Sequence, residues 1–209
     1  AIICVHLGGW PCDMKNLVKI CKKNKIKLIE DCSQAHGAKI KNKSVGTFGD
    51  FGTWSFCNDK IISTGGEGGM ITTNSYKNYQ NIWSLKDHGK NKKKYFNISS
   101  NYSFRYLHDN FGSNFRLTEM QSAIGNTQLL LLKERLKIRK KNANQYMKNL
   151  KNCRSIIIPN IPKEITHSFY RLYLRLDFKF IKKNWNKDQI INRLNKIGFD
   201  CSEGSCSEI

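Results

Sequence analysis

Arginine, acidic residues, proline and long apolar runs are all scarce in this chain of 209 residues. No stretch approaches the ~18 consecutive apolar residues of a membrane-spanning helix, which excludes that class. The opening residues Ala1 to Val5 are too short for a secretory signal and lack its basic leading region. They read as a buried strand entered mid-chain, with no initiator methionine. The last residues, Cys201 to Ile209, stop without a helix or a polar tail, so both ends are expected to be cut. The three prolines stand at 11, 159 and 162, leaving long intervals free of helix breakers.

The shortage of acid leaves 16 Asp and Glu against 36 Lys and Arg, a formal charge of +20. That balance raises a nucleic-acid reading. Only eight of the 36 basic residues are arginine, however, and 28 are lysine. Phosphate and base recognition favours the arginine fork. The clusters Lys22-Lys23, Lys92-Lys93-Lys94 and Lys140-Lys141 are scattered, and no predicted helix gathers them on one face. The charge is read as a solvated surface, so no nucleic-acid partner is expected.

Eight cysteines contain no C-x-x-C pair, and Cys4 and Cys57 sit in apolar, strand-like stretches. Without an export signal they are expected to be thiols of a cytoplasmic protein. Cys201 and Cys206 form the one close pair, and no histidine spacing completes a ligand set, so no metal is expected. The hydrophobic fraction of 39% is that of a folded chain, enough for one large domain or two small ones.

Strand and helix signals alternate through the first third. Ile2 to His6 reads as a strand, and Asp13 as the N-cap of a helix running to about Lys23. Ile26 to Ile29 reads as a second strand, ending in Glu30-Asp31. Such a unit predicts a parallel sheet in an α/β domain. Phe51 to Phe56 and Met70 to Thr73 are further strands, and Tyr76 to about Asp87 a helix. Residues 89–110 lack period and are taken as a long loop. A helical pattern then runs from Thr118 to about Leu150, a length that suggests one long helix or a kinked pair linking two lobes. Beyond Pro162, Phe169 to Leu176 alternates like a strand, and a helix is expected over about Lys187 to Lys196. The resulting division is a large domain over 1–150, including the long linking helix, and an incomplete small α+β domain over 151–209.

Three chemical features lie within 40 residues of one another: Asp31 at a strand end, Ser55 and Lys60 after another strand, and Gly65-Gly-Glu-Gly-Gly69. In open α/β sheets, ligands bind beyond the carboxyl ends of strands. A carboxylate, a hydroxyl and an amine converging there fit pyridoxal phosphate. That cofactor takes a lysine for its Schiff base, a carboxylate for its pyridine nitrogen and a donor for its phosphate. None is diagnostic alone: a single lysine after a strand is usually a surface charge, and a strand-end aspartate is usually a cap.

The order of the motifs is more specific. Glu30-Asp31-x-x-Gln34-Ala35-His36-Gly37 is followed by Gly49-Asp50-Phe-Gly-x-x-Ser55-Phe56, then Lys60 and Gly65-Gly-Glu-Gly-Gly. Trp83-Ser-Leu-Lys-Asp-His88-Gly89 and Gly112-Ser-Asn114-Phe-Arg116-Leu-Thr-Glu-Met-Gln121 come next. This series, with Val5-His6-Leu-Gly-Gly before it, resembles the DegT/DnrJ/EryC1/StrS family of nucleotide-sugar aminotransferases over nearly the whole chain.

The resemblance implies a type I PLP-dependent transferase fold, with a mostly parallel large domain and the start of a small α+β domain. It implies that Lys60 carries the Schiff base and shuttles the proton, that Asp31 pairs with the pyridine nitrogen, and that Gln34 lies against the ring. Ser55 would hold the phosphate, and Asn114 would reach the phosphate of a neighbouring subunit, giving a homodimer with a shared site. The reaction implied is transfer of an amino group, from L-glutamate, to a ketone on a nucleotide-linked sugar, feeding polysaccharide synthesis. For His88 and Arg116 a structural role outweighs a catalytic one.

Relatives that are dehydratases carry histidine at the lysine position, so Lys60 favours transamination. Asp59 replaces the threonine often found before that lysine and is read as a trait of lineage. The family's N-terminal portion and most of its C-terminal domain are absent from the match. A catalytically silent protein of the same fold, with Lys60 vestigial, is the rival reading.

Overall fold

The computed structural model describes residues 1–97 and 105–204. Strand β1 (Ile2–Val5) leads through a tight turn at Leu7–Gly9 to helix α1 (Met14–Lys23). Asp13 caps that helix, as expected, by accepting from the Asn16 amide at 3.2 Å. Met14 and Cys21 on its inner face meet Cys4 of β1 and Leu28, forming the first core cluster.

Strand β2 (Leu28–Asp31) pairs in parallel with β1, Val5 lying beside Asp31. A small hairpin of β3 (Lys39–Ile40) and β4 (Lys43–Ser44) follows, then β5 (Phe51–Ser55), parallel to β2 with Asp31 beside Thr53. Strand β6 (Gly69–Thr72) runs antiparallel to β5, giving the sheet order β1-β2-β5-β6. The sheet is therefore mostly parallel, and β1, β2 and β5 end at one edge. Side chains alternate along a strand and paired neighbours share a face. Glu30 thus points into the core while Asp31, Thr53 and Ser55 share the other face.

Helix α2 (Tyr76–Leu85) is capped by Ser75, and α3 (Lys92–Phe96) by Asn91. The expected loop over residues 89–110 therefore contains a helix. Its five residues are too few to show a period; the Asn91 side chain, accepting from Lys93 and Lys94, stabilises it locally. Its Tyr95 and Phe96 rings pack on Trp83. Tyr102 and Phe104, which belong to the same aromatic segment, lie outside the described residues.

Helix α4 (Glu119–Leu150) is one continuous helix of 32 residues, opened by a capping box between Thr118 and Gln121. It runs beside the carboxyl edge of the sheet. Gln121 Nε2 donates to the Glu67 carbonyl at 2.7 Å and Arg135 to that of Ile61 at 3.2 Å. Leu136 lies where a β-carbon on Gly37 would overlap it, and Gly37 has φ +78°.

Beyond α4 come β7 (Ile156–Ile157), β8 (Ile165–Thr166) and β9 (Arg175–Leu176). Strand β8 pairs with β3, and β9 with β7. The expected strand over Phe169–Leu176 is thus reduced to its last two residues. The preceding stretch is drawn onto the first part of the chain instead. The Ser168 amide donates to the Gly9 carbonyl and that of Arg171 to Gly8, both at 3.1 Å. Arg139 donates to the carbonyls of Phe169 and Tyr170, and Phe169 has φ +52°. A ladder would need those backbone groups. Helix α5 (Lys187–Lys196) ends the described fold with an Asn186/Gln189 capping box. Among the described residues no helix is long and apolar enough to cross a membrane.

Candidate functional site

The parallel edge gathers four of the five residues singled out above. Asp31 ends β2, with Oδ1 accepting from the Ser33 amide at 3.0 Å. Gln34 follows three residues later; its Oε1 accepts from the Gly8 amide at 2.7 Å, which leaves its side-chain nitrogen without a partner among the described residues. Gly8 and Gly9 both have positive φ, so the turn after β1 can lie flat against Gln34. Ser55 ends β5, and its hydroxyl oxygen accepts only a long contact from the Cys57 amide, 3.4 Å.

Lys60 leaves the sheet through a turn in which its amide donates to the Cys57 carbonyl at 3.1 Å. Ile61 and Ile62, both buried, anchor the loop behind it. The Phe56 amide donates to Gly68 at 2.7 Å and that of Thr64 to Phe56 at 3.1 Å, closing the glycine-rich loop upon itself. The lysine side chain is only 15% exposed, and its Nζ stands 3.0 Å from Asp59 Oδ1. Burial opposes its charge, but the hydrogen bond it donates to the Asp59 carboxylate, with the charges around it, prevails and holds its pKa above the ordinary lysine value.

His36 supplies an observation that the residue types alone did not. It is 2% exposed, and neither ring nitrogen has a hydrogen-bond partner among the described residues. Trp54 and Phe56 flank it, with ring centroids at 5.4 and 5.9 Å. Burial, aided by the charge of Lys60, outweighs the opposing pull of the Ser55 backbone and pushes its pKa down to about 4, so the ring is neutral at pH 7. A buried neutral imidazole without a well-formed hydrogen bond is uncommon in a folded protein. Its position, between Asp31 and Lys60 in the chain and against the residues flanking Ser55, fits an edge built to receive a polar group.

Asn114 is not brought to this set. It is exposed, forms an isolated bridge with Asp87, and its Oδ1 accepts from the Arg116 amide at 3.4 Å. Arg116 pairs with the buried Asp87, which Lys90 also meets at 3.1 Å. His88 stands in the same turn at φ +55°, its amide donating to Ser113. Arg116 thus ties this turn to Asp87, and His88 joins it through its backbone.

Behind Asp31, on the core face, lies a cluster that sequence spacing did not reveal: His6, Glu30 and Cys32, with ligand atoms within 4.8 Å of one another. Its polar atoms are already engaged. Glu30 accepts from the amides of Gly46, Phe48 and Gly49, each at 2.7 Å, and from His6 Nε2 at 3.1 Å. The Cys12 amide donates to His6 Nδ1 at 3.0 Å, which requires that nitrogen to be unprotonated. Burial raises the Glu30 pKa, and the bonds from His6 and the three amides more than offset it, holding the carboxyl low. The cluster is a hydrogen-bonded knot under the strand that carries Asp31. The seven described cysteines are free thiols. A groove of about 500 Å³ between α1 and Phe48–Asp50 is lined by none of these site residues.

Known proteins share this fold and much of this sequence. An aminotransferase structure from Psychrobacter cryohalolentis superposes with a TM-score of 0.92 at 40% identity, over 99% of this chain and 54% of that one. An E. coli GDP-4-keto-6-deoxy-D-mannose-3-dehydratase with bound hydrated PLP gives 0.81 at 27% identity, over 98% and 53%. GDP-perosamine synthase of Escherichia coli O157:H7 is 36% identical over 170 residues, 81% of this chain and 43% of that protein. The chain therefore spans about half the length of the relatives it matches. The model of the DegT/DnrJ/EryC1/StrS aminotransferase family matches residues 1–203, and the chain belongs to that family.

Proposed function

We propose that this chain carries the cofactor-binding edge of a pyridoxal-phosphate-dependent aminotransferase. The substrate would be a ketone on a nucleotide-linked sugar, with L-glutamate as amino donor. The observation that carries the reading is the joint placement of Asp31, Gln34, Ser55 and Lys60 at one parallel edge, beside a buried His36 whose ring nitrogens make no well-formed hydrogen bond among the described residues. The donor set fits the cofactor: a carboxylate at one strand end, an amine in the turn beyond the neighbouring strand, and a serine hydroxyl whose proton has no acceptor among the described residues.

When bound, pyridoxal phosphate supplies a sink for the electron pair released as the donor's α-carbon loses its proton. Lys60 would hold the cofactor through its amine and, once released, carry the proton between that carbon and C4′. Asp31 would keep a proton on the pyridine nitrogen. Ser55 would donate to the phosphate, and Gln34, with its oxygen fixed by Gly8, would lie against the ring.

Asn114 would serve the site of a second copy. Phe111 is 100% exposed and Phe115 70% exposed beside it, and aromatic side chains of this kind are enriched at interface cores. The large domain would extend to about residue 150 and the small one begin beyond it, the enzyme acting in the cytoplasm on precursors of surface polysaccharide.

The test is spectroscopic and covalent together. After incubation with pyridoxal phosphate, an absorption band at about 400–430 nm is expected, lost on borohydride treatment, with the label on the peptide that contains Lys60. Lys60→Ala should show neither. A label spread over surface lysines, or none, would leave the catalytically silent protein as the better reading.

A further inference from the structure

The partners of Lys60 are not among the residues assigned above. Its ammonium sits 3.0 Å from Asp59 Oδ1 and 5.3 Å from the centre of the Tyr170 ring. The same carboxylate accepts from the Tyr170 hydroxyl on Oδ2 and from the Cys57 thiol on Oδ1, the latter at 2.7 Å. Adjacent side chains point apart in extended chain, so the contact between residues 59 and 60 exists because the Cys57–Lys60 turn folds them together.

Tyr170 arrives from far along the chain and is 5% exposed. Its position is held at several points: the Arg139 guanidinium on the carbonyls of residues 169 and 170, and the Ser168 and Arg171 amides on Gly9 and Gly8. Ser168 Oγ also donates to the Gln34 carbonyl at 3.3 Å. One strap thus contacts the turn after β1, the Gln34 segment and Asp59.

We propose that Asp59, clamped by Tyr170, is the resting station of the Lys60 ammonium: positioning residues that receive the lysine whenever it is not bonded to the cofactor. A lysine that carries a proton must be cationic for part of each cycle, in a place where its side chain is mostly buried. An unpaired buried ammonium loses its proton or turns to solvent. A carboxylate one residue away, with its other oxygen tied to a rigid tyrosine, keeps the amine charged and beside the sheet edge. The proposal rests on the cofactor role of Lys60, but it concerns the free amine and can be read without cofactor.

The experiment is pH-dependent amine labelling of the chain stripped of cofactor with hydroxylamine. A small acylating reagent is used, and the Lys60 peptide is followed by mass spectrometry. Lys27, whose partner is Asp50, serves as the internal standard. In Asp59→Asn the charge partner is lost and burial remains, so the Lys60 midpoint should fall by at least about one unit. That is a roughly tenfold faster reaction at a pH below both midpoints.

A turn that merely loosens would raise the plateau rate at high pH without moving the midpoint, and that result overturns the proposal. So does an unchanged profile. Tyr170→Phe should lower the midpoint by less than Asp59→Asn, since the carboxylate stays but loses its anchor. A wild-type midpoint there removes Tyr170 from the station. Failure of pyridoxal phosphate to label Lys60 would refute the cofactor reading while leaving these midpoints to be judged separately.

Discussion

Glu30→Gln is the most demanding perturbation of this fold, because the replacement keeps size and shape and changes only hydrogen bonding. Glu30 is fully buried and uses both oxygens twice: Oε1 for the Phe48 and Gly49 amides, Oε2 for Gly46 and His6. In glutamine one oxygen becomes an NH₂ group. Placed at the Oε1 position, it faces two amide donors with a donor. Placed at Oε2, it faces Gly46 and His6. The imidazole could shift its proton to Nδ1 to accept there, but Nδ1 would then face the Cys12 amide.

Every arrangement therefore leaves at least two buried donors without acceptors. At ~1–3 kcal/mol for each, the cost is about 2–6 kcal/mol. For a chain of this size that corresponds to a fall in melting temperature of roughly 4–24 °C. Urea unfolding followed by fluorescence of Trp10 and Trp54 measures it. A loss under about 1 kcal/mol would refute the reasoning, because it would mean that the knot relaxes around a donor or admits water.

Two further outcomes follow from the same geometry. His36 and His167 are both buried, and burial pushes each pKa down to about 4, below the ~6.5 of an unfolded histidine. The stability that each contributes is full above about pH 6.5 and is lost as pH falls toward about 4, up to ~3 kcal/mol per ring. Unfolding free energies of His36→Gln should therefore change less between pH 7 and pH 4.5 than those of wild type, and identical slopes would contradict the burial argument. Gly37→Ala should destabilise through two effects, a left-handed backbone costing ~1–2 kcal/mol and overlap with Leu136 costing ~1–3 kcal/mol. Adding Leu136→Ala should cancel only the overlap, seen as a coupling energy in a double-mutant cycle of thermal unfolding; strict additivity would exclude it.

Local rules served the elements that local forces dominate. The Asp13 cap, the apolar spacing of Leu17, Ile20 and Cys21, and the runs that became β1, β2 and β5 put α1 and the parallel strands where they stand. Helix α4 was legible for the same reason, since its helical pattern from Thr118 carries its own signal; the capping box of Thr118 and Gln121 emerged only in the structure. The stretch from Phe169 was misleading because alternation of side chains does not say where the backbone hydrogen bonds go. Here they go to Gly8 and Gly9, and Arg139 takes the carbonyls. Helix α3 was hidden by its length.

The site divides along the same line. Asp31, Ser55 and Lys60 could be picked out because each stands at or just beyond a strand end, and parallel strands of matching register must end together. What surrounds them depends on contacts between distant parts of the chain. The Glu30–His6 pair spans 24 positions and the Tyr170–Asp59 pair 111. Neither separation leaves a pattern in the sequence, because nothing periodic links residues that meet only after folding.

The two contacts also act on different faces of one edge. The knot fixes β2 from the core side, through a carboxylate whose bonds are all internal. The strap approaches from outside, through a tyrosine that ends on the partner of Lys60. A change in the knot should therefore move stability more than the lysine's titration, and a change in the strap should do the reverse. Measuring the Lys60 midpoint in Glu30→Gln and the unfolding free energy in Asp59→Asn would show whether the two are separable. If Glu30→Gln shifts the midpoint as far as Asp59→Asn does, the edge responds as a single unit and the separate role given to Asp59 is lost.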